Sequence, residues 1–254
     1  DGGEYMYLMR YLIDSGTKEK VMEVAWDISY AYFSRTGKYR VVGINEDGKT
    51  AVNITEMQSG KAVDFPKFEK GDITSVSISR SENLMSFYVG SSDSPSNLYV
   101  YNFETKEHKQ LTNTLNSEIN QNDLVAADVV RYASFDNVEV PAIYYKPKQA
   151  SAENQVPAMV YVHGGPGGQT RQTYNPLIQY MVNHGYAVLG VNNRGSSGYG
   201  RTFHRMDDKN HGENDLMEAR LAFIPEYVQQ FKEVFGTEWP LIDDAWKAIA
   251  AFER

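Results

Sequence analysis

The apolar run Ala158–Val162 passes without a break into His163-Gly164-Gly165-Pro166-Gly167-Gly168, and this junction constrains the fold more than any other stretch. A short apolar run without alternation matches a strand covered on both faces, as parallel strands are. Glycines directly after a strand let the backbone turn tightly and leave N–H groups free to face a ligand. In that position such N–H groups can hold the negative oxygen of a tetrahedral intermediate, which is acyl-transfer chemistry. A second run of the same kind, Ala187–Val191, ends at Asn192-Asn193-Arg194-Gly195-Ser196-Ser197-Gly198-Tyr199-Gly200. Between the two runs, Pro176 to about Asn183 reads as a helix, with Gly185 as its C-terminal cap. Strand–helix–strand with glycine loops at the strand ends predicts α/β architecture, its ligand side at the C-terminal ends of the strands.

Upstream, Val129–Phe135 and Val140–Lys146 read as strands joined by the turn Asp136-Asn137, followed by a polar loop, Lys148–Gln155. Residues 1–127 have another character, with turn residues at short intervals and an internal echo. Phe33-Ser34-Arg35-Thr36-Gly37-Lys38 returns, weakened, as Ile78-Ser79-Arg80-Ser81-Glu82-Asn83, an offset of 45 residues. Strand-like runs follow each copy: Tyr39–Ile44 and Thr50–Thr55 in the first, Leu84–Val89 and Asn97–Tyr101 in the second. Each copy then has a polar turn, Gln58-Ser59-Gly60-Lys61 or Glu104-Thr105-Lys106-Glu107. A period of that size built from short strands predicts β-propeller blades, about two with a remnant, which do not close a ring. A generic antiparallel β domain is the alternative. Residues 217–254 read as a helical tail. Tyr227, Phe231, Val234 and Phe235 form one apolar stripe ended by Gly236; Pro240 and Asp243-Asp244 open a second helix, on which Ala245, Ile249 and Phe252 share a face.

The net charge of −8 argues against a nucleic-acid partner. No apolar run approaches the roughly 18 residues of a membrane-spanning helix. The absence of cysteine excludes disulfides, thiolate metal sites, a cysteine nucleophile and covalently attached c-type haem. The chain starts at Asp1 with no signal-peptide pattern after it, so it reads as part of something longer or as a processed form, with a signal peptide upstream left open.

Four ordered motifs carry a resemblance: Ser134-Phe135-Asp136 with Pro141-Ala142; Val162-His163-Gly164-Gly165-Pro166; Asn193-Arg194-Gly195-Ser196-Ser197-Gly198-Tyr199-Gly200; and Gly212-Glu213-Asn214-Asp215-Leu216. Over residues 1–216, most strongly after about 125, the chain resembles the prolyl oligopeptidase family of serine peptidases, closest to its acylaminoacyl-peptidase and dipeptidyl-peptidase-like branches. The resemblance implies a β-propeller (1–127) followed by the front of an α/β-hydrolase domain (128–216). It also implies cleavage of short peptides by a Ser-Asp-His triad, the serine on a Gly-x-Ser-x-Gly elbow. This chain has no such pentad, and in family order all three triad members come after Gly212–Leu216. The parts of the tail quoted as Ile224-Pro225-Glu226-Tyr227, Phe231-Lys232, Phe235-Gly236 and Lys247–Arg254 resemble instead a segment of bacterial di-haem cytochrome c peroxidases. That family attaches haem through Cys-x-x-Cys-His, so no haem function carries over. The pairing reads as a fusion of unrelated reading frames joined near residues 214–220.

Among the remaining site residues, Gly164 and Gly165 are the oxyanion donors by backbone N–H. His163 ends a strand and orients the loop by a hydrogen bond in preference to acting as a base. Arg194 braces the site through bidentate hydrogen bonds or takes a substrate carboxylate. His184 sits at a helix end, where a cation complements the dipole, and Glu213 and Asp215 favour a helix N-terminus. His204 and His211, with Asp207 and Asp208 between them, fit a solvated charged loop and no recognised zinc pattern. No cofactor and no metal is expected. The expectation is therefore propeller blades, a partial α/β-hydrolase domain and a short helical tail. It would come from a peptidase of short peptides yet lack the triad and be inactive. A propeller-based binding module and a remnant of a haem peroxidase are the alternatives. A periplasmic or secreted setting is preferred to a cytoplasmic one, and the oligomeric state stays open.

Overall fold

A computed structural model describes residues 2–208 other than Glu69, Phe135 and Pro166, together with Gln229, Lys232 and Glu233. Among the described residues are thirteen strands in four sheets, two short α-helices and one turn of 3-10 helix at Gln121–Asp123. The motif Gly212–Leu216, residues His211, Glu213 and Asp215, the junction at 214–220, the apolar stripe Tyr227, Phe231, Val234 and Phe235, and the second helix expected in the tail lie outside them.

The first half is antiparallel throughout. β1 (Leu8–Leu12) and β2 (Thr17–Met22) form a two-stranded ribbon. β3 (Asp27–Phe33), β4 (Tyr39–Glu46) and β5 (Lys49–Glu56) form a three-stranded sheet, extended by a single bridge from Thr55 to Ala62. β6 (Asp72–Ile78), β7 (Leu84–Ser91), β8 (Ser94–Asn102) and β9 (His108–Gln110) form a four-stranded sheet in sequential order.

The echo seen in the sequence is an echo in hydrogen bonding. In the first copy Ser34 N donates to Tyr39 O, Gly37 N to Ser34 O, and the Ser34 hydroxyl accepts from Tyr39 N. In the second, Ser79 N donates to Leu84 O, Glu82 N to Ser79 O, and the Ser79 hydroxyl accepts from Leu84 N. The fourth residue of each turn has a positive φ, 79° at Gly37 and 59° at Glu82, so the echo substitutes a strained residue where the first copy has glycine. Glu82 has a second task that explains its presence: its carboxylate accepts from Thr36 N (2.8 Å) and Thr36 Oγ1 (2.6 Å), tying the two copies together. The polar turns also match, with Glu56 N to Lys61 O and Gly60 N to Glu56 O in one, Asn102 N to Glu107 O and Lys106 N to Asn102 O in the other.

Between these two sheets lies the largest core. Tyr39, Val41, Ile54, Ile73, Met85, Phe87 and Tyr101 are buried there, and Phe65, Phe68, Tyr99 and Phe103 pack around them. Phe87 meets Phe65 edge-on at 5.0 Å between ring centres and stacks on Tyr99 at 5.8 Å. Such geometries add ~0.5–1.5 kcal/mol per pair to the area they bury.

The second half is a mixed sheet in the order β10-β11-β13-β12, formed by β10 (Asp128–Ala133), β11 (Glu139–Tyr145), β12 (Ala158–Val162) and β13 (Ala187–Val191). β10, β11 and β13 pair antiparallel, whereas β12 runs parallel to β13. The crossover is α1 (Pro176–Asn183). Asn175 caps it by accepting from Leu177 N and Ile178 N, Pro176 holds the first turn, and Gly185 follows its C-terminal end with φ at +91°. Ile178 and Val182 of α1 pack on Ile143, Tyr145 and Val188. Gln179, on the same face, is 4% exposed and donates to Ser92 O and Val125 O while accepting from Val125 N. One amide thus fastens the helix to the four-stranded sheet and to the segment that leaves it.

One expectation needs correcting. The run 158–162 is a parallel strand, but it is not covered on both faces: all five residues are exposed, Val160 at 50% and Met159 at 40%. β12 is the edge of its sheet, and none of the described core clusters includes it. Apolar content reports what a strand suits, whereas burial depends on neighbours, and here the neighbours are present on one side only.

Candidate active site

The glycine loop leaves the end of β12 and is held by the loop that leaves the end of β13. Gly165 has φ at +103°, a conformation natural only to glycine, and a Cβ at Gly164 would meet nothing within 4 Å. Among the described residues, no group accepts from the N–H of Gly164 or Gly165. A Cβ at Gly168 would run into Gly164 O and the ring of His163, so the loop is folded on itself with no room for a side chain. Gly168 O in turn accepts from Ser197 N at 3.0 Å.

His163 and Ser196 lie in contact, Nε2 to Oγ at 2.8 Å, and at first sight resemble a base beside a nucleophile. The hydrogen-bond partners argue otherwise. Ser196 Oγ donates to Asn193 O at 2.5 Å, so it accepts from His163 Nε2–H, and the histidine is the donor. Ser196 is wholly buried, and the other ring nitrogen of His163 faces Gly164 O at 3.2 Å instead of a carboxylate. The pair joins the ends of two strands and has neither the proton direction nor the access that attack on a carbonyl requires.

Arg194 is 6% exposed and pairs through Nη2 with Asp136 Oδ1 in the β10–β11 turn. Burial opposes ionisation of Asp136, but the Val138 N–H and the Arg194 guanidinium outweigh it and hold the carboxyl below its ordinary value. Gly195, at φ +92°, faces the Asp207 carboxylate, which occupies the space a Cβ would need; Asp207 is buried there, against the solvated loop expected of it, because the loop after β13 folds over it. His204, in the one-turn helix α2 (Arg201–His204), lies against Gly167. His184 ends α1 with Nδ1 2.9 Å from Tyr180 O.

Several residues of this region gave no signal in the sequence. Asn192 is fully buried; its Oδ1 accepts from Thr170 N at 2.6 Å and its Nδ2 donates to Thr170 O at 3.0 Å and to the Tyr199 hydroxyl at 2.8 Å. Burial, followed by the nearby Asp47, pushes the Tyr199 phenol well above its ordinary value and keeps it neutral. Beyond Thr170, Arg171 and Gln172 reach the first half of the chain at Asn45, Asp47, Thr50 and Asp72. These partners are 99 to 126 residues away in sequence, a separation no local pattern reveals.

The sequence pattern of the prolyl oligopeptidase family matches residues 172–231. YuxL, an uncharacterized peptidase of Bacillus subtilis (strain 168), is 34% identical over 137 residues, 54% of this chain and 21% of that protein. Over residues 172–231 the chain is similar to the prolyl oligopeptidase family. Its likeness in three dimensions extends further: a puromycin hydrolase crystal structure superposes with a TM-score of 0.72 at 17% identity, over 91% of this chain and 35% of that one. That likeness shows a common fold. A separate match joins the chain to cytochrome-c peroxidase IdrP1 of Pseudomonas sp. (strain SCT), 54% identical over 43 residues, 17% of this chain and 11% of that protein. The chain spans about a fifth of the length of YuxL and about a third of the puromycin hydrolase structure.

Proposed function

We propose that residues 1–216 derive from a serine-type peptidase of short peptides, in which Gly164 and Gly165 present backbone N–H groups to the oxyanion. In this reading residues 1–127 are propeller blades, and residues from 128 are the front of an α/β-hydrolase domain. The observation that carries it is the glycine loop at the C-terminal end of β12, with its donors unclaimed among the described residues. In active enzymes of this kind the loss of one oxyanion donor costs ~2.7–4 kcal/mol of transition-state stabilisation, a cost felt only where a nucleophile generates the oxyanion. The nucleophile is another matter. No Gly-x-Ser-x-Gly occurs anywhere in the sequence, and the best-placed hydroxyl, Ser196, gives its proton to a backbone carbonyl.

The polypeptide is therefore proposed to lack serine-hydrolase activity, with the tail resembling a haem peroxidase standing where the family carries its triad. A fluorophosphonate probe tests this. No labelling of the purified chain is the expected outcome, and one probe bound per chain would refute it. A periplasmic or secreted setting is proposed in preference to a cytoplasmic one; fractionation of the native host with an antibody to residues 1–127 tests that preference.

A further inference from the structure

We infer that Arg171 is a positioning residue for the glycine loop, anchored in the first half of the chain by the buried carboxylate of Asp72. Arg171 Nη2 contacts Asp72 Oδ1 at 3.0 Å and Thr50 Oγ1 at 2.8 Å, while Nη1 contacts Asn45 Oδ1 and Gln169 Oε1, both at 3.3 Å. Asp72 is 3% exposed and its Oδ1 also accepts from Thr50 N at 2.7 Å. A carboxylate so buried is strongly destabilising without a cation beside it, and Arg171 supplies one across 99 residues of sequence. The planar guanidinium holds four oxygens at once, which an ammonium cannot do.

The anchoring continues on either side. Gln172 N donates to Gly48 O at 2.8 Å and Gln172 Nε2 to Asp47 O at 2.9 Å. Asn45 Nδ2 donates to Gln169 Oε1 at 2.9 Å. Gly48 has φ at +82°, and a Cβ there would lie 3.3 Å from Thr170 O, so the Asp47-Gly48 turn lies close against Thr170. Thr170 is consequently held between this turn and the Asn192 amide. Gly168 follows two residues before it, and Gly168 packs on Gly164 O and His163. A displacement at Arg171 has a continuous covalent and packed route to Gly164.

This inference rests on the reading of Gly164 and Gly165 as oxyanion donors, but its test does not. In 15N–1H spectra of the whole chain, Arg171→Ala should move or broaden the Gly164 and Gly165 cross-peaks. It should also accelerate amide exchange at Thr170 and Gln172 tenfold or more, leaving Phe87 and Tyr99 unchanged. Arg171→Lys, which keeps charge beside Asp72 and loses the fork, should restore slow exchange only in part. Should Arg171→Ala fail to fold, Asp72→Asn keeps the Thr50 contact, removes the charge, and is read at the same amides. Unmoved Gly164 and Gly165 peaks would overturn the inference, as would equal acceleration at all four protected amides. Fluorophosphonate labelling would refute the proposed inactivity and leave these spectra unaffected, so either idea can fail alone.

Discussion

The two halves of the chain reach order by different means. In the first, two antiparallel sheets face each other across Phe87, Met85, Val41 and Tyr101, each no more than 1% exposed, so the core is closed by partners that the same hundred residues supply. In the second, α1 covers one part of the sheet and β12 stands exposed at its edge. β12 and β13 carry equally apolar sequences and lie in register, Val160 beside Leu189, yet β13 is buried at four of five positions and β12 at none. Similar apolar content in adjacent strands thus has unequal energetic value, set by how many sides have neighbours. A repeat built from local turns can complete its own packing. A parallel strand depends on elements far away in sequence.

The largest effect that would test this contrast lies in the closed core. Phe87→Ala should lower unfolding free energy by ~3–5 kcal/mol, read from denaturant midpoints, because the aromatic partners around it cannot collapse into the space. A much smaller loss would mean the first half is loosely packed. The next test sets the strands against each other. Val188→Ala on β13, with 3% exposure, should cost ~2 kcal/mol. Val160→Ala on β12, with 50% exposure, should cost under ~0.5 kcal/mol in the same assay. Equal costs would show that β12 is covered in solution and would erase the distinction.

The smallest effect concerns the Asp136–Arg194 pair that links β10–β11 to the loop after β13. Because the folded carboxyl has a lowered pKa, its contribution is full above the unfolded value near ~4 and disappears as pH falls through the folded value. Acidification from neutral pH to about 3 should therefore lower the melting temperature of the native chain more than that of Asp136→Asn, by a modest margin, since the carboxylate is partly solvated. Equal acid sensitivity would show that the pair contributes nothing measurable.

Much of this architecture was legible because it is locally encoded. Pro176 at the start of α1 and Gly185 after its end bound that helix to the residue, since a fixed φ and a positive φ are properties of single amino acids. The 45-residue echo located matched turns because Ser34 and Ser79 make the same short-range bonds. β4 and β8 extend beyond the runs Tyr39–Ile44 and Asn97–Tyr101 read from the sequence, because polar end residues still pair. The candidate site was legible only in its covalent neighbours. The glycine loop and Arg194 stand out in a glycine-rich context, whereas Arg171, Asp72, Asn192 and Gln179 act through partners across the fold and look like ordinary polar residues in the sequence. The exposure of β12 was misread for the same reason, as covering elements are a tertiary fact.

The grip of Asn192 on Thr170 carries a consequence for chemical ageing. That grip needs a primary amide, an acceptor at one end and a donor at the other. Hydrolysis of the amide to a carboxylate would leave the shape almost unaltered yet set an anion against the Thr170 carbonyl now 3.0 Å away. Loss of a single nitrogen from this side chain would turn a clasp on the loop into a repulsion, with no change in the chain's length or its sheets.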